Sequence, residues 1–245
     1  MNTIKGSLCG TDGKTAKIVG VLFIIGTVAG VLSVVFTGSI LGDPDYLIKV
    51  SANTNQVALG ALFVLIMGLA LAMVPVVIFP ILKKHNEVPA LGYVVFRGAL
   101  ETFTYFVTVI SWLLLIILSQ EYGSAGASNA PYFHSLGDLI LKASDIGATT
   151  TSIVFPLGAM MFYVVLVQSK LIPRWLSIWG LIGVVLTLFT SGLGGMFGLT
   201  GSMSTIQTVV ALPIFLQEMV MAVWLIVKGF DPYALASGSA KTDMN

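Results

Sequence analysis

The segment that decides the fold is LGYVVFRGALETFTYFVTVISWLLLIILS, residues 91–119. It is long enough to cross a bilayer as a helix, which takes about 20 mostly apolar residues. Its only charged side chains are Arg97 and Glu101, which lie four residues apart and so share one helical face. Because an isolated charge is costly inside a membrane, we expect the two side chains to pair and to face the interior of a helical bundle.

The whole chain has the same apolar character. Of its 245 residues, 56% are hydrophobic and 9% are charged, whereas about a quarter of the residues in soluble domains are charged. Apolar runs of spanning length predict a single all-α transmembrane domain over residues 16–231, with a glycine-rich turn separating the last two spans. The six predicted spans are 18–41, 57–82, 93–119, 146–168, 175–197 and 205–227.

The lysines and arginines predict an orientation for this bundle. If the spans alternate, nine of these residues fall on one side, and only Lys49 and Lys142 are assigned to the other. By the positive-inside rule, both termini are then cytoplasmic and the protein lies in the cytoplasmic membrane. Residues 1–15 are expected to form a disordered tail, and residues 232–245 a second cytoplasmic tail.

One loop on the opposite side carries a helical pattern of its own. Between residues 131 and 143, apolar side chains recur at helical spacing opposite polar ones. This pattern predicts a short helix that lies on the outer interface of the membrane.

Several classes of function find no support in the composition. The 12 basic and 11 acidic residues are nearly balanced, so the chain lacks the basic surface that nucleic-acid binding requires. Its two histidines, His85 and His134, fall in loops on opposite sides of the membrane, and neither zinc-protease nor serine-hydrolase motifs occur. We therefore expect no nucleic-acid partner, metal or cofactor, whereas the apolar composition implies the lipid bilayer as a partner.

The third span carries a polar stripe in addition to its charged pair. Successive steps of four and three residues place these polar side chains on one helical face. Such a face is expected to point away from lipid. The stripe consists of Arg97, Glu101, Thr104, Thr108 and Ser111.

The sixth span contributes two further polar residues, Gln207 and Glu218, which share a face. Glu218 precedes Lys228 by ten residues, which places it about 15 Å below the membrane boundary at 1.5 Å per residue. Glu101 lies at a comparable depth, about 12 Å from the start of its span. A meeting of the third and sixth spans around Arg97 is therefore compatible with their depths.

If the three charged residues meet, one positive charge faces two carboxylates. A second buried negative charge without a partner is strongly disfavoured, so one glutamate is expected to carry a proton. Three hypotheses follow. In the first, the cluster is a site that binds or conducts a small ligand or cation. In the second, the chain is a structural or regulatory membrane protein without a transport path, and its polar residues lock the helices together; the third and more remote one is a carboxylate-based intramembrane enzyme.

Prolines and glycines mark further positions in the predicted spans. Pro75, Pro156 and Pro213 are expected to kink the second, fourth and sixth spans, because each frees a backbone carbonyl. Gly26 and Gly30 form a Gly-x-x-x-Gly pattern that favours close helix packing. The packing partner is either another helix of this chain or a second copy in a homo-oligomer.

Three segments together resemble a known family. They are LGYVVFRGALE (91–101), IPRWLSIWGLIG (172–183) and EMVMAVWLIVKGF (218–230). Their order and spacing are similar to those of a bacterial integral-membrane family catalogued as domain of unknown function 4386. The resemblance implies a six-helix membrane domain and makes Arg97, Glu101 and Glu218 positions of the family pattern. It implies no activity.

Overall fold

The structure is a computed structural model that describes residues 2–124, 129–199 and 205–242, with side chains described for 12–123, 129–199 and 209–238. Every secondary-structure element in these ranges is helical. The elements are α1 (Asn2–Leu41), α2 (Tyr46–Ala52), α3 (Thr54–Leu82), α4 (Glu87–Tyr93), a first π-helical segment (Val94–Leu100), α5 (Glu101–Ser124), α6 (Ala130–Ser169), α7 (Arg174–Thr187), a second π-helical segment (Leu188–Leu193), α8 (Gly194–Met196), α9 (Thr205–Val227) and α10 (Pro232–Thr242).

Six helical stretches in the described ranges are long and apolar enough to span a membrane. The stretches are Asp12–Leu41, Thr54–Leu82, Glu87–Gly123, Ala130–Ser169, Arg174–Met196 and Val209–Val227. Large apolar side chains such as Phe103, Ile117 and Phe189 are exposed on their outward faces, where lipid would cover them. The predicted all-α fold with six spans is confirmed.

The six spans form a closed ring. Going around it, α1 packs on α3, α3 on α5, α5 on α6, α6 on α7, α7 on α9, and α9 returns to α1. The third span, which runs from α4 through the first π-helical segment into α5, is therefore opposite α9. Because packed helix axes lie about 8–10 Å apart, a ring of six leaves a central space that large side chains must fill.

Aromatic side chains from several spans fill much of this interior. Tyr93, Tyr163, Phe23 and Phe162 are among the largest fully buried side chains, and they belong to one apolar cluster that joins all six spans. The rings of Tyr93 and Phe162 stack with their centroids 4.6 Å apart. The interior is thus packed by bulky side chains, into which the charged residues are inserted.

The turn between the fifth and sixth spans begins in the glycine-rich stretch, as predicted. Gly198 has a φ of +67°, which favours glycine because it has no Cβ. The N–H of Leu199 donates to the carbonyl of Gly194 at 2.8 Å, and the N–H of Gly198 donates to the carbonyl of Gly195 at 3.1 Å. This pair of bonds is the Schellman motif that ends a helix.

A second turn connects α9 to α10. Gly229 has a φ of +71°, and the carboxylate of Asp231 then accepts hydrogen bonds from the N–H groups of Tyr233 and Ala234 at 2.9 and 3.0 Å. Asp231 therefore caps the N-terminus of α10. Its own N–H donates to the carbonyl of Leu171 at 2.9 Å, which ties α10 to the loop between α6 and α7. We call this end of the bundle the α10 end and the opposite one the α2 end.

Three features differ from the sequence-based expectations. Helix α1 begins at Asn2, so the segment expected to be a disordered tail is helical. Residues 131–143 are helical but belong to α6, because the helical spacing continues without a break into the fourth span. The two π-helical segments were not predicted.

Candidate functional site

The site is built around the first π-helical segment, Val94–Leu100, in which Arg97 occupies the central position. Such segments interrupt α-helices rarely and are frequent at functional sites. Gly158 of α6 lies directly against it: a methyl group on Gly158 would come within 2.9 Å of the Cβ of Phe96 and 3.0 Å of the backbone nitrogen of Arg97. The absence of a side chain at Gly158 therefore allows α6 to contact the third span at Arg97.

Arg97 makes two ion pairs that bridge the ring. Its Nη1 lies 3.1 Å from Oε1 of Glu101, and its Nη2 lies 3.2 Å from Oε1 of Glu218 on α9. The guanidinium also lies over the ring of Phe155 on α6, 4.5 Å from the centroid. The third and sixth spans, which are opposite in the ring, are thus joined through one arginine, and we call Arg97, Glu101 and Glu218 the charge cluster.

The two carboxylates have different surroundings. Side-chain exposure is 1% for Glu101 and 15% for Glu218, whereas that of Arg97 is 3%. Oε1 of Glu101 also accepts a hydrogen bond from the hydroxyl of Tyr105 at 2.7 Å. Among the described residues, Oε2 of Glu101 and Nε of Arg97 are buried without a hydrogen-bond partner, so the cluster is only partly satisfied.

The rest of the polar stripe continues along the interior face of α5. The hydroxyl of Thr104 donates to the carbonyl of Glu101 at 2.7 Å and lies 2.6 Å from the hydroxyl of Thr151 on α6. Thr104 and Ser111 are buried, and Thr108 is half-buried. The stripe faces the bundle, with the third and fourth spans hydrogen-bonded across it.

A second buried polar group lies next to the charge cluster along α9. The hydroxyl of Tyr163 donates to Oε1 of Gln217 at 2.6 Å, and Nε2 of Gln217 donates to the carbonyl of Leu176 at 3.0 Å. Gln217 is completely buried. It therefore links α9 to both α6 and α7 beside the position where Glu218 reaches Arg97.

The predicted kink and packing residues occupy interior positions. Pro75, Pro156 and Pro213 lie inside α3, α6 and α9. Gly26 and Gly30 of α1 face Leu71 and Met67 of α3, at distances that leave no room for a methyl group. Their packing partner is thus another helix of the same chain. The side chain of Gln207 lies outside the described residues.

Two surface pockets, of about 300 and 460 Å³, lie around α2. Their linings include Ser51 and Ala52, and neither lining contains a member of the charge cluster. Within the described side chains, no three His, Cys, Asp or Glu residues are grouped closely enough to hold a metal ion. Of the features described, only the charge cluster brings several ionisable side chains together inside the bundle.

The α2 end carries its own polar contacts. Lys49 forms an ion pair with Asp43, and this pair, followed by the backbone N–H of Asp45, holds the pKa of Asp43 below its usual value. The hydroxyl of Tyr46 donates to Oδ1 of Asp138 on α6 at 2.9 Å. Burial, followed by this hydrogen bond, raises the pKa of Tyr46. The bond from Tyr46 to Asp138 fastens α2 onto α6 near its start, away from the charge cluster.

A known family matches most of the chain. The family described as Domain of unknown function (DUF4386) matches residues 18–229, which include all three charged residues of the cluster. The chain belongs to the DUF4386 family. No curated protein and no solved structure matches it. The charge cluster of this DUF4386 protein joins two of the spans that the match includes.

Sequence reasoning found the three charged residues but missed their polar and aromatic partners. Tyr105 lies four residues after Glu101, so its helical spacing already placed it beside that carboxylate. Gln217 is an uncharged polar residue in an apolar span, which is a recognisable signal. Thr151 and Phe155 of α6 carried no comparable signal, because their contacts depend on which spans are neighbours in the ring.

Proposed function

We propose that this DUF4386 protein binds one exchangeable positive charge, a proton or a small cation, at its charge cluster within the membrane. The observation that carries the proposal is that a single guanidinium is shared by two carboxylates from opposite spans. With all three side chains ionised, the cluster has one negative charge in excess. A buried charge of this kind is strongly disfavoured unless something neutralises it.

The position of the cluster supports a role in exchange. It lies where the third and sixth spans meet across the ring, on a π-helical segment, and it retains a buried carboxylate oxygen without a partner. Ionisable residues inside membrane bundles commonly mark ion and proton pathways. A membrane transporter or a sensor of ion gradients would use such a site.

A structural or regulatory protein without a transport path is the second candidate. It is favoured by the close packing of Gly158 against Arg97. Under this alternative, the ion pairs lock two opposite spans together.

We further propose, from the distribution of lysine and arginine, that the α10 end faces the cytoplasm and that the protein lies in the cytoplasmic membrane.

The test compares the purified wild type with Glu101→Gln and Glu218→Gln. Thermal unfolding is measured across neutral pH and against a panel of sodium, potassium and small organic ammonium salts at constant ionic strength. The wild type should show a midpoint that depends on pH or on one cation. Each variant should lose this dependence, because its cluster holds equal numbers of positive and negative charges.

Glu87→Gln is the matched control. The substitution is chemically the same as in the cluster variants. Glu87, however, is exposed, and it lies in the first turn of α4, at the end of the third span. This variant should retain the wild-type dependence. If all four proteins respond alike to pH and to every cation, while the cluster variants merely unfold at lower temperature, the structural lock is the correct function.

A further inference from the structure

We infer that the exchangeable charge is a proton and that Glu218, rather than Glu101, carries it. This inference rests on the proposed function and assigns the ligand and the residue within the same cluster. In the step itself, a hydronium ion loses a proton and becomes water, and this proton forms an O–H bond with the carboxylate of Glu218, which becomes a neutral carboxylic acid. Release returns the proton to water.

The guanidinium argues for a proton over a metal cation. Both Nη atoms of Arg97 lie between the carboxylates, 3.1 and 3.2 Å from their Oε1 atoms. A metal cation that bound the same oxygens would lie close to this positive charge and be repelled by it. A proton adds to one oxygen without displacing the arginine, so the ion pair with the other carboxylate persists.

The hydrogen bonds separate the two glutamates. Oε1 of Glu101 receives two donors, the hydroxyl of Tyr105 at 2.7 Å and the guanidinium of Arg97. Among the described residues, Glu218 accepts one hydrogen bond, from Nη2 of Arg97 at 3.2 Å. Because hydrogen bonds donated to a carboxylate favour its charged form, Glu101 is better stabilised as the anion and Glu218 is left to accept the proton.

Access separates them as well. The side chain of Glu218 is 15% exposed, whereas that of Glu101 is 1% exposed, so Glu218 is the more accessible of the two carboxylates. A proton on Oε2 of Glu101 would also leave its hydroxyl without an acceptor among the described residues, since that atom has no partner. The unpartnered oxygen therefore does not make Glu101 the better carrier.

The remaining ionisable groups around Glu218 are uncharged tyrosines or lie far along their helices. Tyr93, Tyr105 and Tyr163 are close enough to interact with it electrostatically. Helices α1 and α7 pack against α9. Within their described side chains, the titratable groups lie toward the α10 end and are Asp12, Lys14, Lys17 and Arg174.

The first test is pH-difference infrared spectroscopy of the full-length protein in lipid nanodiscs. The wild type should show a carboxylic-acid carbonyl band that grows as the pH falls. Glutamate-to-aspartate substitutions keep every charge and move one carboxyl group by a methylene. Glu218→Asp should shift the band, and Glu101→Asp should leave its position unchanged.

The opposite pattern, a band that shifts in Glu101→Asp and stays in place in Glu218→Asp, would overturn the assignment to Glu218 while leaving the proposed function intact. If the wild type shows no pH-dependent carboxyl band but is stabilised by one metal cation, the charge is a cation and the proton assignment is wrong. Failure of the proposed function is a different result, in which neither pH nor any cation acts through the cluster.

The second test uses the wild type alone and so does not depend on the folding of variants. A hydrophobic carbodiimide, which reacts with protonated carboxyl groups in membranes, is added at several pH values, and the adduct is located by peptide mass spectrometry. Glu218 should be modified, with a yield that falls as the pH rises. Modification of Glu101 in its place would contradict the inference.

Discussion

Replacing Arg97 with glutamine should be among the most destabilising single changes in this protein. Arg97 is 3% exposed and makes both ion pairs of the charge cluster. Removing the common partner of buried charges costs about 3–5 kcal/mol, because the carboxylates are left uncompensated. The lost cation–π contact with Phe155, at 4.5 Å, contributes within this range, since such contacts are worth about 0.5–2 kcal/mol.

The effect is measurable by thermal unfolding in detergent. For a chain of this size, 1 kcal/mol corresponds to a midpoint shift of about 2–4 °C, so Arg97→Gln should lower the midpoint by roughly 6–20 °C. Arg174→Gln is the matched control. Arg174 is exposed at the start of α7, and its replacement should change the stability by no more than about 0.5 kcal/mol.

A rescue experiment identifies the cause of the loss. Replacing Arg97, Glu101 and Glu218 together with glutamine removes every charge of the cluster, so no carboxylate is left without a positive partner. The triple variant should therefore be more stable than Arg97→Gln alone. If Arg97→Gln and Arg174→Gln have the same midpoint, Arg97 does not pair with the two glutamates in the folded protein, and the reasoning is refuted.

Three further predictions concern other features of the fold. Gly158→Ala should destabilise the protein by about 1–3 kcal/mol, because its methyl group would overpack the backbone at Arg97. The control is Gly123→Ala, whose methyl group would meet no atom within 4 Å. Equal thermal unfolding midpoints for the two variants would contradict the close packing at Gly158. Asp231→Ala should lower the stability by about 0.5–2 kcal/mol, because the cap of α10 is lost. Asp231→Asn should retain most of the capping energy. The expected result is faster proteolysis of α10 in the alanine variant alone. The lowered pKa of Asp43 stabilises the folded state at pH values above the ordinary pKa of an aspartate, and this contribution is lost as the pH falls through the folded-state pKa. Asp43→Asn should therefore be less stable than the wild type at neutral pH, and the two stabilities should converge in acid. A stability difference that does not change with pH would count against the ion pair.

The number of spans and the membership of the charge cluster were predictable, because both depend on local signals. Charge-free runs of sufficient length define the spans, and the rarity of charges in them draws attention to Arg97, Glu101 and Glu218. The depth of each residue follows from its distance to the nearest boundary at a fixed rise per residue. That depth sufficed to place the third and sixth spans within reach of each other.

The arrangement of the helices around the cluster was not predictable in the same way. Which spans are neighbours depends on packing between distant residues, such as Gly26 on Leu71 and Gly158 on Phe96. The π-helical segment at Arg97 likewise lies where the third span packs against α3 and α6. No local sequence pattern predicted it. Residues 131–143 were assigned to a separate helix, whereas the structure joins them to the fourth span in the single helix α6.

The claim that the charge cluster holds one exchangeable charge is tested most directly by counting protons. Acid–base titration of the detergent-solubilised protein across neutral pH gives the number of protons bound per chain. We predict that the wild type takes up one proton more than either Glu101→Gln or Glu218→Gln over this range. Equal uptake by all three proteins, with no cation binding that distinguishes them, would contradict the account.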